Sequence, residues 1–167
     1  MRLREAKLSD LPEIMRLIGA AVDAMLAAGK HQWDHSYPAT EHIFADLTAH
    51  IGYVMEDGDG LLAYAAIAFD GEPAYDHLDG EWLTPTEDGY VVVHRLAVDP
   101  ALQGRGIAIK LFHAVEQLAA NQGVGSFKID TNYDNEVMLH LMEKLGFEYC
   151  GRIQYPRGER MAYEKMI

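Results

Sequence analysis

The chain has 167 residues, of which 49% are hydrophobic and 24% are charged. This length suits one domain with a sizeable core, and the hydrophobic content excludes a disordered chain. There are 14 basic and 26 acidic residues, so the formal net charge is −12. Such a charge disfavours nucleic acid and anionic membranes as partners and favours small cations, amines included. Solubility alone is the simpler explanation of the acidity.

No apolar run approaches the ~18 residues of a membrane span, and the first residues lack the hydrophobic core of a signal peptide. Cys150 is the single cysteine, which excludes an internal disulfide and fits a reducing compartment. We therefore expect a cytoplasmic protein with one domain over residues 1–167.

The spacing of apolar residues predicts eleven elements in the order β-α-α-β-β-β-α-β-α-β-β, which is a mixed α/β domain. Ser9 or Asp10 is the predicted cap of the first helix, Thr40 caps the second, and residues 132–134 cap the last. The approximate bounds of the eleven elements are 3–6, 11–28, 41–51, 53–55, 61–69, 91–98, 107–121, 126–131, 135–145, 147–155 and 161–165.

Two loops are candidates for binding an acceptor molecule. Residues 31–38 combine Trp33, Asp34 and Tyr37, and aromatic rings with a carboxylate can enclose an amine. The alternative is that Trp33 and Tyr37 only hold the loop against the core. Residues 70–89 form a long irregular excursion that contains Tyr75 and Trp82, and loops of this length are usually functional or mobile.

Metal binding is not expected in this chain. The histidines of the first loop, His31 and His35, have the spacing of a metal-binding pair, but no Glu-x-x-His helix or cysteine cluster accompanies them.

The stretch from Val91 to Ala108 carries the clearest functional signal. An apolar strand stops at Asp99-Pro100, and Gly104 and Gly106 then open a helical pattern. A strand that turns through glycines into a helix directs free backbone N–H groups and the positive end of the helix dipole to one point. This arrangement predicts an anion cradle suited to phosphate.

Gln103-x-x-Gly106-x-Ala108, placed after the strand, resembles the acetyl-CoA-binding motif of the GCN5-related N-acetyltransferase (GNAT) superfamily. The stretch Asn135–Phe147 is similar to that family's Asn-x-x-Ala-x-x-Leu-Tyr-x-Lys-x-Gly-Phe. The order of elements also fits over essentially all of the chain. The resemblance implies a single-domain GNAT-like mixed β-sheet flanked by helices.

The resemblance further implies that acetyl-CoA is the acyl donor. It assigns the coenzyme pyrophosphate to the glycine loop, largely through backbone N–H groups, and the pantetheine arm to the preceding strand and the last helix. The residues so assigned are Gln103, Gly104, Arg105, Gly106, Ile107 and Ala108 for the pyrophosphate, and the main chain of Leu96 and Val98 with the Asn135 side chain for the pantetheine.

One departure from the family pattern concerns the catalytic acid. The family usually has tyrosine where this chain has Met142, and that tyrosine protonates the departing thiolate. Methionine cannot donate a proton. His140, Tyr133 and Tyr149 are alternatives by sequence, as is departure of CoA as the free thiolate, so the acid stays unassigned.

His94 is the candidate base, because the attacking amine must be neutral and histidine titrates near neutrality. Alternation along the strand places it on one face with Leu96 and Val98. The order His-x-Leu-Ala-Val also resembles the arylalkylamine branch of the family, in which a strand histidine helps to deprotonate the amine. A buried structural histidine is the alternative.

These observations predict an acetyl-CoA-dependent N-acetyltransferase that acts on a small amine by direct attack in a ternary complex. The alternatives are a transferase for another acyl-CoA and a non-catalytic acyl-CoA sensor of the same fold. The identity of the acceptor and the oligomeric state stay open, with a homodimer among the alternatives.

Overall fold

The computed structural model describes all residues from Met1 to Ile167. Strands and helices follow one another in the predicted order, with one short strand added. The strands are β1 (Arg2–Glu5), β2 (Gly52–Asp57), β3 (Gly60–Ala68), β4 (Asp79–Gly80), β5 (Val91–Val98), β6 (Ser126–Thr131), β7 (Glu148–Tyr155) and β8 (Gly158–Met166). The helices are α1 (Leu11–Ala27), α2 (Thr40–Thr48), α3 (Ile107–Asn121) and α4 (Glu136–Lys144).

The chain divides into two compact units, and strand β5 has residues in both of them. The first unit comprises Met1–Ile67 and His94–Ala114, and the second comprises Ala68–Val93 and Val115–Ile167. Strand order is β1-β2-β3-β5 in the first unit and β5-β6-β8-β7-β4 in the second. The eight strands belong to one mixed sheet, so the predicted α/β fold class is confirmed.

Most strand pairs are antiparallel, as the short predicted turns require. In the first unit β2 pairs antiparallel with both β1 and β3. In the second unit β8 pairs antiparallel with β6 and β7, and β4 pairs antiparallel with β7. Strands β5 and β6 instead run parallel, with Val91 opposite Phe127. The chain reaches β6 from β5 through helix α3, the usual connection of parallel strands.

The core of the first unit forms against the apolar faces of α1 and α2. Spacing of three and four residues brings the apolar side chains of each helix onto one face. None of the four helices combines the length and the hydrophobicity that a bilayer crossing demands. The buried residues of this core are Ala6, Ile14, Leu17, Ile18, Val22, Trp33, Ile43, Leu47, Val54, Tyr64 and Ala97.

Asp10 occupies the predicted cap position of α1 without a side-chain hydrogen bond to the helix, and the predicted cap of α2 is wrong. Asp10 does precede α1, but its carboxylate accepts the Lys7 N–H at 2.7 Å and pairs with the Arg4 guanidinium at 2.8 Å. The side chain thus closes the turn before the helix. Thr40 is the first residue of α2 and not its cap. The main-chain N–H of Ala39, the residue before it, donates to Nδ1 of His42 at 2.9 Å.

The added strand β4 shows why the excursion over residues 70–89 is not a free loop. Gly80 lies opposite Gly151 of β7, and both have positive φ, +148° and +147°. A Cβ at Gly80 would lie 2.1 Å from the main-chain oxygen of Cys150. Only glycine permits this approach, so the excursion is attached to the sheet edge at this point.

Candidate active site

The segment between β5 and α3 forms a tight turn through two glycines. Asp99 accepts the Ala101 N–H at 3.0 Å and so caps the 3-10 turn Pro100–Leu102. Gly104 and Gly106 follow with left-handed φ of 83° and 71°, a conformation that a side chain disfavours. A Cβ at either position would meet no atom within 4 Å, so the loop is open on that side.

The main-chain amides of the loop fall into two groups. Those of Gln103 and Arg105 donate to carbonyls of the preceding turn, each at 3.3 Å. The first hydrogen bond of α3 is accepted by the Gly106 carbonyl at 3.0 Å. Since Ile107 and Ala108 precede that donor, their amides have no acceptor within the helix. The anion cradle is therefore concentrated at the start of α3, a helix of 15 residues, where its dipole is positive.

Strand β5 does not alternate regularly at its middle. Arg95 has a left-handed φ of 51°, which is uncommon for a residue with a side chain. The predicted alternation, with His94 on the face of Leu96 and Val98, is interrupted at this residue. His94, Leu96 and Val98 are each half-buried. Alternation therefore does not establish that His94 shares a face with the other two.

The side chain of Arg95 ends in a buried cluster within the first unit. Its Nε and Nη2 donate to the Asp46 carboxylate at 2.7 and 2.5 Å, and the Tyr64 hydroxyl donates to the same carboxylate at 2.7 Å. Arg95 Nη1 also donates to the Tyr37 hydroxyl at 3.2 Å. Burial acts to lower the pKa of Arg95, but the hydrogen bonds and charge of Asp46 outweigh it and raise that pKa. The cluster joins α2, β5 and the loop over residues 31–38.

The loop over residues 31–38 uses its predicted acceptor residues internally. Trp33 is 7% exposed and packs in the core of the first unit. The Asp34 carboxylate accepts the Ser36 N–H at 2.7 Å, the Ser36 hydroxyl at 2.6 Å and the Tyr37 N–H at 3.1 Å. These contacts match the alternative in which the aromatic residues hold the loop to the core. No three potential metal ligands come together anywhere in the structure.

The aromatic residues of the excursion surround a cation of the chain itself. Tyr75 is buried, accepts the Trp82 indole N–H through its carbonyl at 2.9 Å, and stacks on Tyr90 with ring centroids 5.7 Å apart. Lys128 Nζ lies 5.1 Å from the ring centroid of Trp82 and 5.0 Å from that of Tyr90. The cation–π contacts of these rings are thus made by Lys128 of the chain itself.

Lys128 is also the centre of a buried ion pair. Its ammonium donates to Glu164 at 2.9 Å, to the Ser126 hydroxyl at 3.1 Å and to the Thr84 hydroxyl at 2.9 Å. Glu164 accepts the hydroxyls of Thr84 and Ser126 and the Leu83 N–H. Burial acts to raise the pKa of Glu164, but these donors outweigh it and hold that pKa below its usual value.

A second carboxylate of the second unit, Asp130, escaped the sequence analysis. Its Oδ2 accepts the Tyr75 hydroxyl at 2.7 Å and the Tyr155 hydroxyl at 3.0 Å. Asp130 is half-buried near the carboxyl end of β6. The signal that could have found it is its position, because ligands of α/β sheets gather outside the carboxyl ends of parallel strands.

Asn135 is the cap of α4, one residue after the segment predicted for that role. Its Oδ1 accepts the Met138 N–H at 3.3 Å. Because the carbonyl oxygen is used in this way, the side-chain NH2 is the group suited to donate to a ligand.

The position where the family carries tyrosine is fully enclosed. Met142 is 0% exposed, so an apolar side chain in the core occupies it. Of the alternative acids, Tyr133 is 72% exposed, whereas His140 and Tyr149 line an open groove of about 490 Å3. The remaining residues of that groove are Glu136, Leu139, Glu143, Phe147 and Tyr163.

Comparison with known proteins agrees with this geometry. The family model described as "Acetyltransferase (GNAT) family" matches residues 18–147, which include the glycine loop and the whole of α4. This match spans more than half of the chain, and the chain belongs to the GNAT acetyltransferase family. The predicted enzyme class, an N-acetyltransferase, is confirmed.

Individual relatives resemble this chain to different degrees. A GNAT-family acetyltransferase from Streptococcus agalactiae 2603 is 30% identical with a TM-score of 0.89, and the match covers 99% of this chain and 95% of that one. An agmatine N-acetyltransferase, 18% identical with a TM-score of 0.67 over 99% of each chain, shares the fold. An uncharacterised protein of Mycobacterium leprae (strain TN) is 33% identical over 121 residues. This match covers 64% of this chain but only 32% of that relative, so the chain spans about a third of the relative's length.

Proposed function

We propose that this protein transfers an acetyl group from acetyl-CoA to a primary amine of a small molecule, by direct attack in a ternary complex. The observation that carries the proposal is the cradle at the start of α3. There Ile107 and Ala108 present amides without helical acceptors, and two left-handed glycines leave the loop open. A pyrophosphate fits such a cradle because backbone donors and the helix dipole both favour a compact anion.

The donor contacts that we propose follow the loop and its neighbours. Gly104 to Ala108 hold the pyrophosphate, the exposed Arg105 guanidinium adds a positive charge, and Gln103 closes the turn. The main chain of Leu96 and Val98 and the amide of Asn135 bind the pantetheine arm. Acetyl-CoA, when bound, supplies the activated thioester carbonyl.

The proton chemistry is assigned to His94. An ammonium has no lone pair, so the acceptor nitrogen must lose a proton before it attacks, and a neutral imidazole can take that proton. The enclosed Met142 side chain cannot protonate the leaving group. We therefore propose that CoA departs as the thiolate, which a thiol of ordinary acidity permits.

The acceptor side is assigned to the two segments that the sequence singled out. Asp34 and Tyr37 are the proposed acceptor residues of the first segment, and Tyr75 and Trp82 are those of the second. Trp33 and Tyr75 are buried, so we propose that they act by fixing these segments. One domain, a cytoplasmic location and the homodimer alternative stay predictions.

A sensor that binds acetyl-CoA without turnover is the second candidate function. The observation that favours it is Met142, an enclosed apolar residue where the family has its proton donor. A transferase for another acyl-CoA is the variant within the enzyme class. Measuring turnover with several acyl-CoA donors distinguishes the acetyltransferase, the sensor and the transferase for another acyl-CoA.

The cradle is tested with two alanine variants that match in strain. Gly106 and Gly123 have nearly equal φ, +71° and +72°, and an added Cβ meets nothing within 4 Å at either position. Both substitutions therefore cost about 1 kcal/mol of stability. In calorimetric titration we expect Gly106→Ala to weaken acetyl-CoA binding about tenfold or more, since it also obstructs the cradle, and Gly123→Ala to bind like wild type.

The outcomes of this titration decide the donor assignment. Absence of acetyl-CoA binding to wild type contradicts the proposed function. Equal weakening in both variants places the effect in backbone strain and contradicts the cradle. NAD and ATP serve as control ligands and are expected to bind weakly or not at all.

The base is tested by the pH dependence of turnover. The amine panel is agmatine, putrescine, n-butylamine and tyramine, and release of the CoA thiol is measured. We expect His94→Gln to lower kcat about 100-fold or more, to lose the acidic limb of the pH–rate profile, and to keep its affinity for acetyl-CoA. A pH–rate profile of His94→Gln that matches wild type rejects His94 as the base. Wild type that binds acetyl-CoA but acetylates no amine of the panel favours the sensor function.

A further inference from the structure

The Asp130 carboxylate is held by two tyrosines of different elements. Tyr75 comes from the excursion and Tyr155 from the end of β7, and both hydroxyls donate to Oδ2. Burial, and then the charge of Asp130, raise the pKa of each tyrosine above its usual value. Both phenols therefore remain donors to Asp130 Oδ2 across the physiological range.

This carboxylate lies near the end of β6, one short turn before the proposed donor contact at Asn135. The chain leaves β6 directly after Asp130 and Thr131 and turns, with the Asn135 N–H donating to the Asn132 carbonyl at 3.1 Å. Asn135 then begins α4 and is the residue that we assign to the pantetheine arm. Four residues thus separate the half-buried Asp130 carboxylate from Asn135, the residue that contacts the acyl donor in the proposed function.

We propose that Asp130 binds a cationic group of the acceptor, and that the acceptor is a small molecule with two basic nitrogens. A carboxylate stabilises the protonated form of an amine that it contacts, and a protonated amine cannot attack a thioester. The nitrogen that Asp130 holds is therefore not the nitrogen that is acetylated. A diamine, or an amine that also carries a guanidinium, supplies both groups.

This inference rests on the proposed function only for the acetylation step, because the binding of a cation by Asp130 is measurable without acetyl-CoA. Putrescine and n-butylamine are suitable probes, since they share a four-carbon chain and differ by one amino group. The variant is Asp130→Asn, whose amide oxygen still accepts from both tyrosines. The control is Asp79→Asn, which removes the same charge from a residue that is 79% exposed.

We expect wild type to bind putrescine more tightly than n-butylamine by roughly ten- to a hundredfold, the range for a hydrogen bond to a charged group. Asp130→Asn is expected to abolish this preference by raising the Kd and KM for putrescine, while the acetyl-CoA affinity and the melting temperature stay near those of wild type. Asp79→Asn is expected to keep the preference. Tyr155→Phe, which keeps the charge and removes one donor, is expected to reduce the preference about two- to tenfold.

Each result separates the inference from the proposed function. Equal affinity of wild type for the two amines, or no binding of either at about 10 mM, overturns the role of Asp130, and so does a preference that survives undiminished in folded Asp130→Asn. A preference for putrescine that depends on Asp130, in a protein that does not bind acetyl-CoA, supports the cation site and rejects the transferase. A loss of folded protein in Asp130→Asn, seen by circular dichroism, leaves the decision to Tyr155→Phe.

Discussion

Each unit contains one buried ion pair, and the two pairs stabilise different features of the molecule: a backbone conformation in the first unit and a loop in the second. Lys128 and Glu164 have side chains that are 0% exposed, whereas Arg95 is 17% and Asp46 5% exposed. The enclosed pair is surrounded by hydroxyl and amide partners, and the other pair has two tyrosines. A charge without water needs every hydrogen bond supplied by the protein, which explains the richer set of partners around Lys128.

The enclosed pair holds a loop to the sheet. Glu164 on β8 accepts the main-chain N–H of Leu83 at 2.7 Å, and Lys128 on β6 donates to the Thr84 carbonyl at 3.2 Å. The ring of Trp82 covers the ammonium. An excursion with little regular structure is thereby fixed through its backbone, and at Leu83 and Thr84 the ions supply the hydrogen-bond partners that a neighbouring strand would otherwise supply.

The Arg95 pair instead holds a backbone conformation. A left-handed φ at a residue with a side chain costs about 1–3 kcal/mol and persists only where the surroundings fix it. The two parallel hydrogen bonds to Asp46 fix the guanidinium in both position and plane. We infer that this bidentate contact maintains the irregularity of β5 beside His94 and Leu96.

The largest effect is expected from Lys128→Met. The substitution leaves the Glu164 carboxylate buried without its counter-ion, and breaking such a pair costs about 3–5 kcal/mol in the free energy of unfolding. Urea denaturation followed by circular dichroism measures this loss. Adding Glu164→Gln removes the unpaired charge and keeps an amide oxygen for Leu83, so the double variant is expected to recover part of the loss.

The pH dependence separates this mechanism from simple loss of packing. In wild type the pKa of Glu164 is lowered, so its contribution to stability is present above its unfolded pKa and is lost as the pH falls through the folded value. In Lys128→Met the same pKa is raised by burial, so protonation relieves the variant. The difference in stability between variant and wild type is expected to shrink as the pH falls from about 7 to about 4. A constant difference contradicts the assignment.

The order of elements and the glycine loop were predictable because they depend on local patterns. Helical spacing in α1 and the two glycines before α3 act over a few residues, and the structure follows both. Asp10 occupies the predicted cap position of α1, but its carboxylate binds Lys7 and Arg4 and not the helix. Thr40 was wrong as the cap of α2, because the helix begins one residue earlier than predicted and Ala39 precedes it.

The charged side chains of β6 could not be placed from the sequence. Alternation puts Ser126, Lys128 and Asp130 on one face, and a polar face on a strand ordinarily predicts exposure to solvent. The structure buries Ser126 and Lys128 under the excursion, whose conformation no periodic pattern encodes. The left-handed Arg95 was missed for a similar reason, because a pair with Asp46 some 49 positions away fixes it.

A smaller effect is expected from Arg95→Lys, which keeps the charge and removes the planar fork. Lysine cannot make both hydrogen bonds to Asp46 in one plane, so we expect a loss of about 1–2 kcal/mol in the free energy of unfolding. Urea denaturation measures the loss. The matched control is Arg152→Lys, because Arg152 meets Asp79 at 3.4 Å with side chains 54% and 79% exposed, and such a pair contributes within about 0.5 kcal/mol.

The size of the Arg95→Lys effect relative to that of Arg152→Lys tests what the Arg95 pair contributes. If the planar fork of Arg95 fixes the backbone of β5, Arg95→Lys lowers the free energy of unfolding clearly more than Arg152→Lys does, although neither variant loses a charge. If both arginine variants unfold at the same urea concentration as wild type, a monodentate cation suffices at this position. The irregularity of β5 then has another cause, and the two pairs differ in burial alone.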